Sequence, residues 1–270
     1  VAAGVLLFAG QLGSVSAQTT VFSTNFDGGS IAAEISPGTA TLTGVQGYAG
    51  LGPTGNQFGG SFLRSATGNV VTLQLNGLPA HMSINVLFLF AAIDSLDGTG
   101  TFPAGDFFDV SVDGVTFFSH SFANATPSQI QSYVPPTGVE LARRVDLGFG
   151  GPGGFFTDSA YNLGADPVFS NIPHTASSAT ITFLIRGEGA QSIDDESWAM
   201  DNLAVSVAGG GPVATPTTTP TPPPTATATP PPTQTAGPGP AAVVPTLSWP
   251  MLGLLGLALA GAAVYFLRRL

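Results

Sequence analysis

The chain has 270 residues, a formal net charge of -10 and only 8% charged residues; all six of its Lys/Arg positions are arginine. Such a surface repels phosphate backbones, which excludes nucleic acid as an expected partner. There is no cysteine, so disulfides, thiolate metal sites and thiol nucleophiles are excluded too. With 36 Gly, 23 Pro and abundant Thr, Ser, Val and Phe, the composition describes short strands and frequent turns, an all-β chain.

Residues 1–17 are small and mostly apolar. Val15 and Ala17 fit the pattern before a signal-peptidase cut, so the mature chain is expected to begin at Gln18. With no basic region ahead of it, this segment reads as a signal peptide truncated at its N-terminus.

Residues 18–208 carry the foldable sequence, one domain by length. Period-two segments rich in β-branched and aromatic residues predict strands at about 20–26, 40–46, 61–64, 70–76, 82–92, 107–112, 115–122, 145–149, 180–186 and 198–207. Val71, Leu73 and Leu75 share one face of their strand, and Ile181, Phe183 and Ile185 one face of theirs. The nearly continuous apolar run from Ile84 to Ala92 fits a strand covered on both faces or at a sheet centre. Asp113-Gly114 between two such runs is a hairpin signal, because both turn positions need positive φ. About ten short antiparallel strands point to a jelly-roll-like β-sandwich.

The rest of the chain changes character. Residues 209–243 hold runs such as Thr219-Pro-Thr-Pro-Pro-Pro-Thr225, without the apolar periodicity a core needs. This is a stalk, extended at about 3 Å per residue and able to reach roughly 100 Å, with Thr beside Pro as candidate O-glycosylation sites. Residues 250–267 are apolar over the length of a membrane-crossing helix. Arg268 and Arg269 follow and place the C-terminus in the cytoplasm, with the domain outside; Trp249 and Tyr265 stand where interfacial aromatics belong.

Within 244–270, Val244, Pro245, Thr246 and Leu247, then Ser248-Trp249-Pro250, the apolar helix and Arg268-Arg269 resemble the bacterial C-terminal sorting signals named for an Ile-Pro-Thr-Leu motif (IPTL-CTERM), relatives of the PEP-CTERM class. Val244 replaces the usual Ile, and Pro250 stands for the usual Gly. The resemblance implies exosortase-like or other sorting machinery as a partner and an envelope or surface location, with release after processing as one outcome. Ala92-Ile-Asp94-Ser-Leu-Asp97-Gly98, Gly105-Asp106-Phe-Phe-Asp-Val-Ser-Val-Asp113-Gly114 and Asp195-Glu-Ser-Trp-Ala-Met-Asp201-Asn202 resemble secreted bacterial β-sandwich domains of the Asp-Ser-Trp-Asp-Gly type, Leu96 replacing Trp. That resemblance implies a fold and an extracellular place, and no particular activity.

Carboxylates cluster in a chain that otherwise avoids charge. Asp94, Asp97 and Asp106 bracket one loop, while Asp194, Asp195, Glu196 and Asp201 crowd the approach to the last strand. Ca²⁺ takes six or more hard oxygen ligands at about 2.4 Å, and Asp with Gly-rich backbone supplies them. One structural Ca²⁺ is therefore expected near Asp94, Asp97 and Asp106, with Asp195 or Asp201 as further ligands; the competing reading is solvated loop-end carboxylates. The spacing is not that of an EF-hand.

Enzymatic signals are weak. His81, His120 and His174 are too scattered for a zinc-peptidase helix, His120 and His174 reading as hydrogen-bonded strand-end residues, and no Gly-x-Ser-x-Gly elbow occurs. Neighbouring Asp194, Asp195 and Glu196 would alternate faces along a strand rather than flank a sugar. Trp198 and the paired Phe residues 107–108, 117–118 and 155–156 could stack on sugars if they faced outward; core filling is their default. Three readings follow: a non-catalytic structural or adhesive surface module, a carbohydrate-binding module, and a glycoside hydrolase.

Overall fold

Alternation along each strand decides which side chains this chain buries. The computed structural model describes residues 18–99, 105–150, 157–187 and 191–209. The expected signal peptide, stalk, sorting motif and membrane segment lie outside the described residues. Among those described, no helix is long and apolar enough to cross a membrane.

The described strands are β1 (Thr19–Thr24), β2 (Ile35–Ser36), β3 (Thr41–Gly44), β4 (Ser61–Ala66), β5 (Val71–Asn76), β6 (Ser83–Asp94), β7 (Asp106–Val112), β8 (Val115–Phe122), β9 (Glu140–Val145), β10 (Asp158–Tyr161), β11 (Ile172–Pro173), β12 (Ser178–Arg186) and β13 (Glu196–Ala208). All pair antiparallel, in two sheets. The first runs β3-β4-β13-β6-β10-β9, with β1 also on β13 and β11 also on β6; the second runs β2-β5-β12-β7-β8. The molecule is an all-β sandwich.

Inward positions of both sheets meet in one core. Ile84, Val86, Phe88 and Phe90 of β6 face Leu73, Phe108, Val110, Ile181 and Phe183 of the second sheet. Trp198 is fully buried against Phe108, ring centroids 5.3 Å apart. The Asp113-Gly114 turn has φ of 50° and 79°, as the dipeptide predicts.

The apolar run of β6 is covered on both faces along one half only. On the outer face Leu89, Ala91 and Ile93 pack under Val45, Tyr48, Phe58 and Phe149, which form a second cluster. Leu87, one step beyond that cover, is 41% exposed. The strand expected at 145–149 is displaced. Its place is taken by β9, ending at Val145, and β10, while Leu147 and Phe149 belong to the outer cluster. Asn124 is buried, donating to Ala92 O and accepting from Ser159 Oγ.

A histidine pair ties the sheets together at one end. His81 Nδ1 lies 2.6 Å from Pro79 O, and His174 Nε2 lies 3.1 Å from Asp113 Oδ2. Both oxygens accept, so both nitrogens carry hydrogen. The two remaining nitrogens, His81 Nε2 and His174 Nδ1, are 2.6 Å apart with ring planes within 11°. Asp113 Oδ1 accepts from Thr180 N, completing the link to β12. His120, by contrast, lies within β8 with its ring against Phe118 and Tyr133.

His174→Ala leaves His81 Nε2 buried without a partner, a loss of about 1–3 kcal/mol. For a domain of this size that lowers Tm by several degrees, at roughly 2–4 °C per kcal/mol. His81→Ala combined with His174→Ala is expected to lose less than the two single losses added, measured as a double-mutant cycle in thermal melts.

Candidate metal centre

The crossing from β6 to β7 carries the chain from the first sheet to the second, and its two ends are Asp97-Gly98 and Gly105-Asp106. These ends close on one another. A Cβ at Gly105 would lie 1.8 Å from Gly98 O, and Gly98 has φ of +71°, so this neck requires glycine at both positions. Asp97 N donates to Asp106 Oδ2 at 2.7 Å. Asp97 also bridges to Ala123, and Asp106 pairs with Phe122 in the β7–β8 ladder.

Glu196, the first residue of β13, completes the group. Ligand oxygens of Asp97, Asp106 and Glu196 lie within 4.8 Å of one another. Gln129 Nε2 donates to Asp97 Oδ1 at 2.7 Å, and Gln191 Nε2 to Glu196 Oε1 at 2.8 Å. Glu196 Oε2 is buried with no hydrogen-bond partner, on a residue only 1% exposed. Among the described residues the arginine ion pairs are Arg64–Asp94, Arg143–Glu140 and Arg186–Asp109; none reaches this trio. Three converging carboxylates without a counter-charge, one with an orphaned oxygen, have the donor chemistry of a hard divalent cation. Asp97, Asp106 and Glu196 would hold it, and it would supply positive charge that joins the two sheets at this end.

The other expected ligands are placed differently. Asp94 has φ of 61°, which breaks the alternation of β6. Its carboxylate lies 3.9 Å from Arg64 Nη2, and that guanidinium sits 4.6 Å from the Phe149 ring on the outer face. Asp201 is held by Gly59 N and Asn202 N, beneath the loop that covers that face. Asp195 accepts from Ser95 Oγ at 2.9 Å. It stands next to the trio in charge, pushing up both Glu196 and Asp97. Glu196 was not among the expected ligands because the last strand was expected to begin at 198. Carrying the Trp198–Met200 alternation two residues back would have put Glu196 on their face.

Burial raises Asp97 and several other carboxyls. It pushes Asp106 and Asp94 up to about 6, and Asp158 and Asp201 up to about 7. Burial, then repulsion from Asp106, Asp97 and Asp195, pushes Glu196 up to about 9. With folded values above unfolded ones, the native state binds more protons, so stability falls as pH rises through this window. In EDTA, Tm is expected to fall from pH 5 to pH 9. Glu196→Gln should remove most of the fall above pH 8, where the others have already titrated; an unchanged slope in that variant would contradict the assignment.

The aromatic residues offer no outward platform among those described. Trp198, Phe108 and Phe118 are buried; Phe107 lies under the Arg186 guanidinium at 5.0 Å, and Phe117 packs edge-on against Phe169. The Phe pair at 155–156 lies outside the described residues.

No family model matches the chain, and no curated protein matches it. Among solved structures it is similar to BtGH115A, a family GH115 4-O-methyl-alpha-glucuronidase with specificity for decorated arabinogalactans. That likeness has 10% identity over 69% of this chain and 17% of the other, with a TM-score of 0.27. It is also similar to the CBM22-1 and GH10 modules of the Clostridium thermocellum xylanase Xyn10B, complexed with xylohexaose, at 11% identity over 71% of this chain and 29% of the other, TM-score 0.27. The chain spans less than a third of either protein.

Proposed function

We propose that residues 18–208 form a non-catalytic surface module whose fold is fastened by one divalent cation, Ca²⁺ by its oxygen donors, and which is exported and presented outside the cell on the 209–243 stalk. The observation that carries this is the trio of half-buried Asp97 and buried Asp106 and Glu196, with its orphaned Glu196 Oε2. Presentation outside the cell rests on the sequence of the two ends and on the resemblance of 244–270 to a sorting signal, with the 250–267 helix as membrane anchor.

The strand order supports a jelly-roll reading of the sandwich. Along the chain, β4, β6, β10 and β13 enter one sheet as β4-β13-β6-β10, and β5, β7, β8 and β12 enter the other as β5-β12-β7-β8. That is the interleaving of a double-sheet jelly roll. Hydrolysis fits the carboxylates less well. A glycosidase holds its two carboxyls roughly 5–9.5 Å apart across an open cleft. Here the oxygens lie within 4.8 Å, with Asp106 and Glu196 almost fully buried.

Adding CaCl₂ to EDTA-treated protein is expected to raise Tm, because a ligand that binds only the folded state stabilises it by RT ln(1 + [L]/Kd). Asp106→Asn and Glu196→Gln should abolish the rise, while Asp201→Asn should keep it. No shift at millimolar Ca²⁺ would remove the cation from this reading.

A further inference from the structure

The outer face of the first sheet is covered over one half and open over the other, and the step between the halves forms a cleft of about 580 Å³. Its floor is the neighbouring pair Leu87 and Ala204 of β6 and β13. Its walls bring together Ser23, Asn25, Asn56 and Asn202.

The walls are built rather than incidental. β13 bulges between Asp201 and Ala204, with Asn202 at φ of 50°, and bulges re-aim side chains at sites. Asn202 Nδ2 donates to Gln57 O at 2.9 Å, and Asp201 Oδ2 accepts from Gly59 N at 3.1 Å. These bonds fix the 55–59 loop over the sheet. On the opposite wall Asn25 donates to Asp27 Oδ2, and Asp27 Oδ1 accepts from Ser61 N at 2.7 Å. Both carboxylates act behind the lining; the lining itself carries no charge, in a chain of net charge -10. Asn56 alone of the three carboxamides has no side-chain hydrogen bond within the described residues, so its donor and acceptor are available to a ligand.

We propose that this cleft binds a neutral saccharide. Carboxamides donate and accept together, as sugar hydroxyls do, and the Leu87–Ala204 strip offers an apolar patch for the C–H face of a pyranose ring. The size falls within the roughly 300–1,000 Å³ of small-molecule sites. An anionic sugar would find no cation here. The proposal uses residues distinct from the cation trio and stands whether or not a cation binds.

The test is calorimetric titration of the full-length protein with cellohexaose, xylohexaose and mannohexaose, and with hexagalacturonate as the anionic comparison. At least one neutral hexasaccharide is expected to bind, with affinity reduced tenfold or more in Asn56→Ala and in Leu87→Ala and an unchanged Tm in both. Binding that survives both variants, binding of hexagalacturonate alone, or no heat from any neutral probe at millimolar concentration would overturn the proposal. Repeating the titration in EDTA separates the two proposals: binding that persists without Ca²⁺ supports the cleft whatever the fate of the cation site.

Discussion

The antiparallel pairing of β6 with β13 is the constraint on which the rest of this fold depends. Its register runs from Ser83 opposite Ala208 to Asp94 opposite Glu196, the full length of both strands. Every other strand of the first sheet joins this pair or a neighbour of it. β4 and β1 share the far edge of β13, while β10 and β11 share the far edge of β6. Because side-chain direction alternates, the register also determines what lies at its two ends and on its outer face. Glu196 is turned toward Asp97 and Asp106 where the pairing ends. Midway, the bulge after Asp201 sets Asn202 over the open part of the sheet.

The electrostatics follow from burying acid without base. Of the described carboxylates, Asp94 has Arg64, while Asp158 and Asp201 are held by backbone N–H groups, Asp158 accepting from Asp94 N and Leu147 N. The backbone bonds are local solutions to the desolvation of a charge, whereas Asp94 Oδ1 and Oδ2 are buried without a hydrogen bond, Arg64 Nη2 standing 3.9 Å away. The trio at the β6–β7 crossing has only two glutamine side chains and one backbone N–H. Three carboxylates that close are stabilised by protons or by a cation, and without a cation the proton falls on Glu196, pushed up to about 9.

Much of the scaffold was legible because strand periodicity is local. The faces of β5 and β12, the Asp113-Gly114 hairpin and the apolar β6 could all be read from alternation and turn chemistry. The tertiary features were not. β9 and β10 were missed because Leu141-Ala-Arg-Arg144 has no alternation and Asp158-Ser-Ala-Tyr161 is only four residues long, buried throughout. Asp94 looked equivalent to Asp97, yet one positive φ sends it to the outer face. The His81–His174 contact joins residues whose neighbours in sequence give no hint of each other. The cleft was equally invisible, since it arises where a loop cover stops partway across a sheet.

A chain without cysteine has no disulfide to cross-link it, and a cation on the trio would serve in that place. Asp97 and Asp106 flank the crossover between the sheets, and Glu196 begins the last strand, far along the chain. A cation shared by them would close a long loop in the way a disulfide does. The entropy removed from the unfolded chain grows with loop length, though slowly, by about 0.6 kcal/mol for each doubling. The gain is therefore greater here than for the same three ligands within one short loop. It would also fall on the central strand pair, where Glu196 stands opposite Asp94.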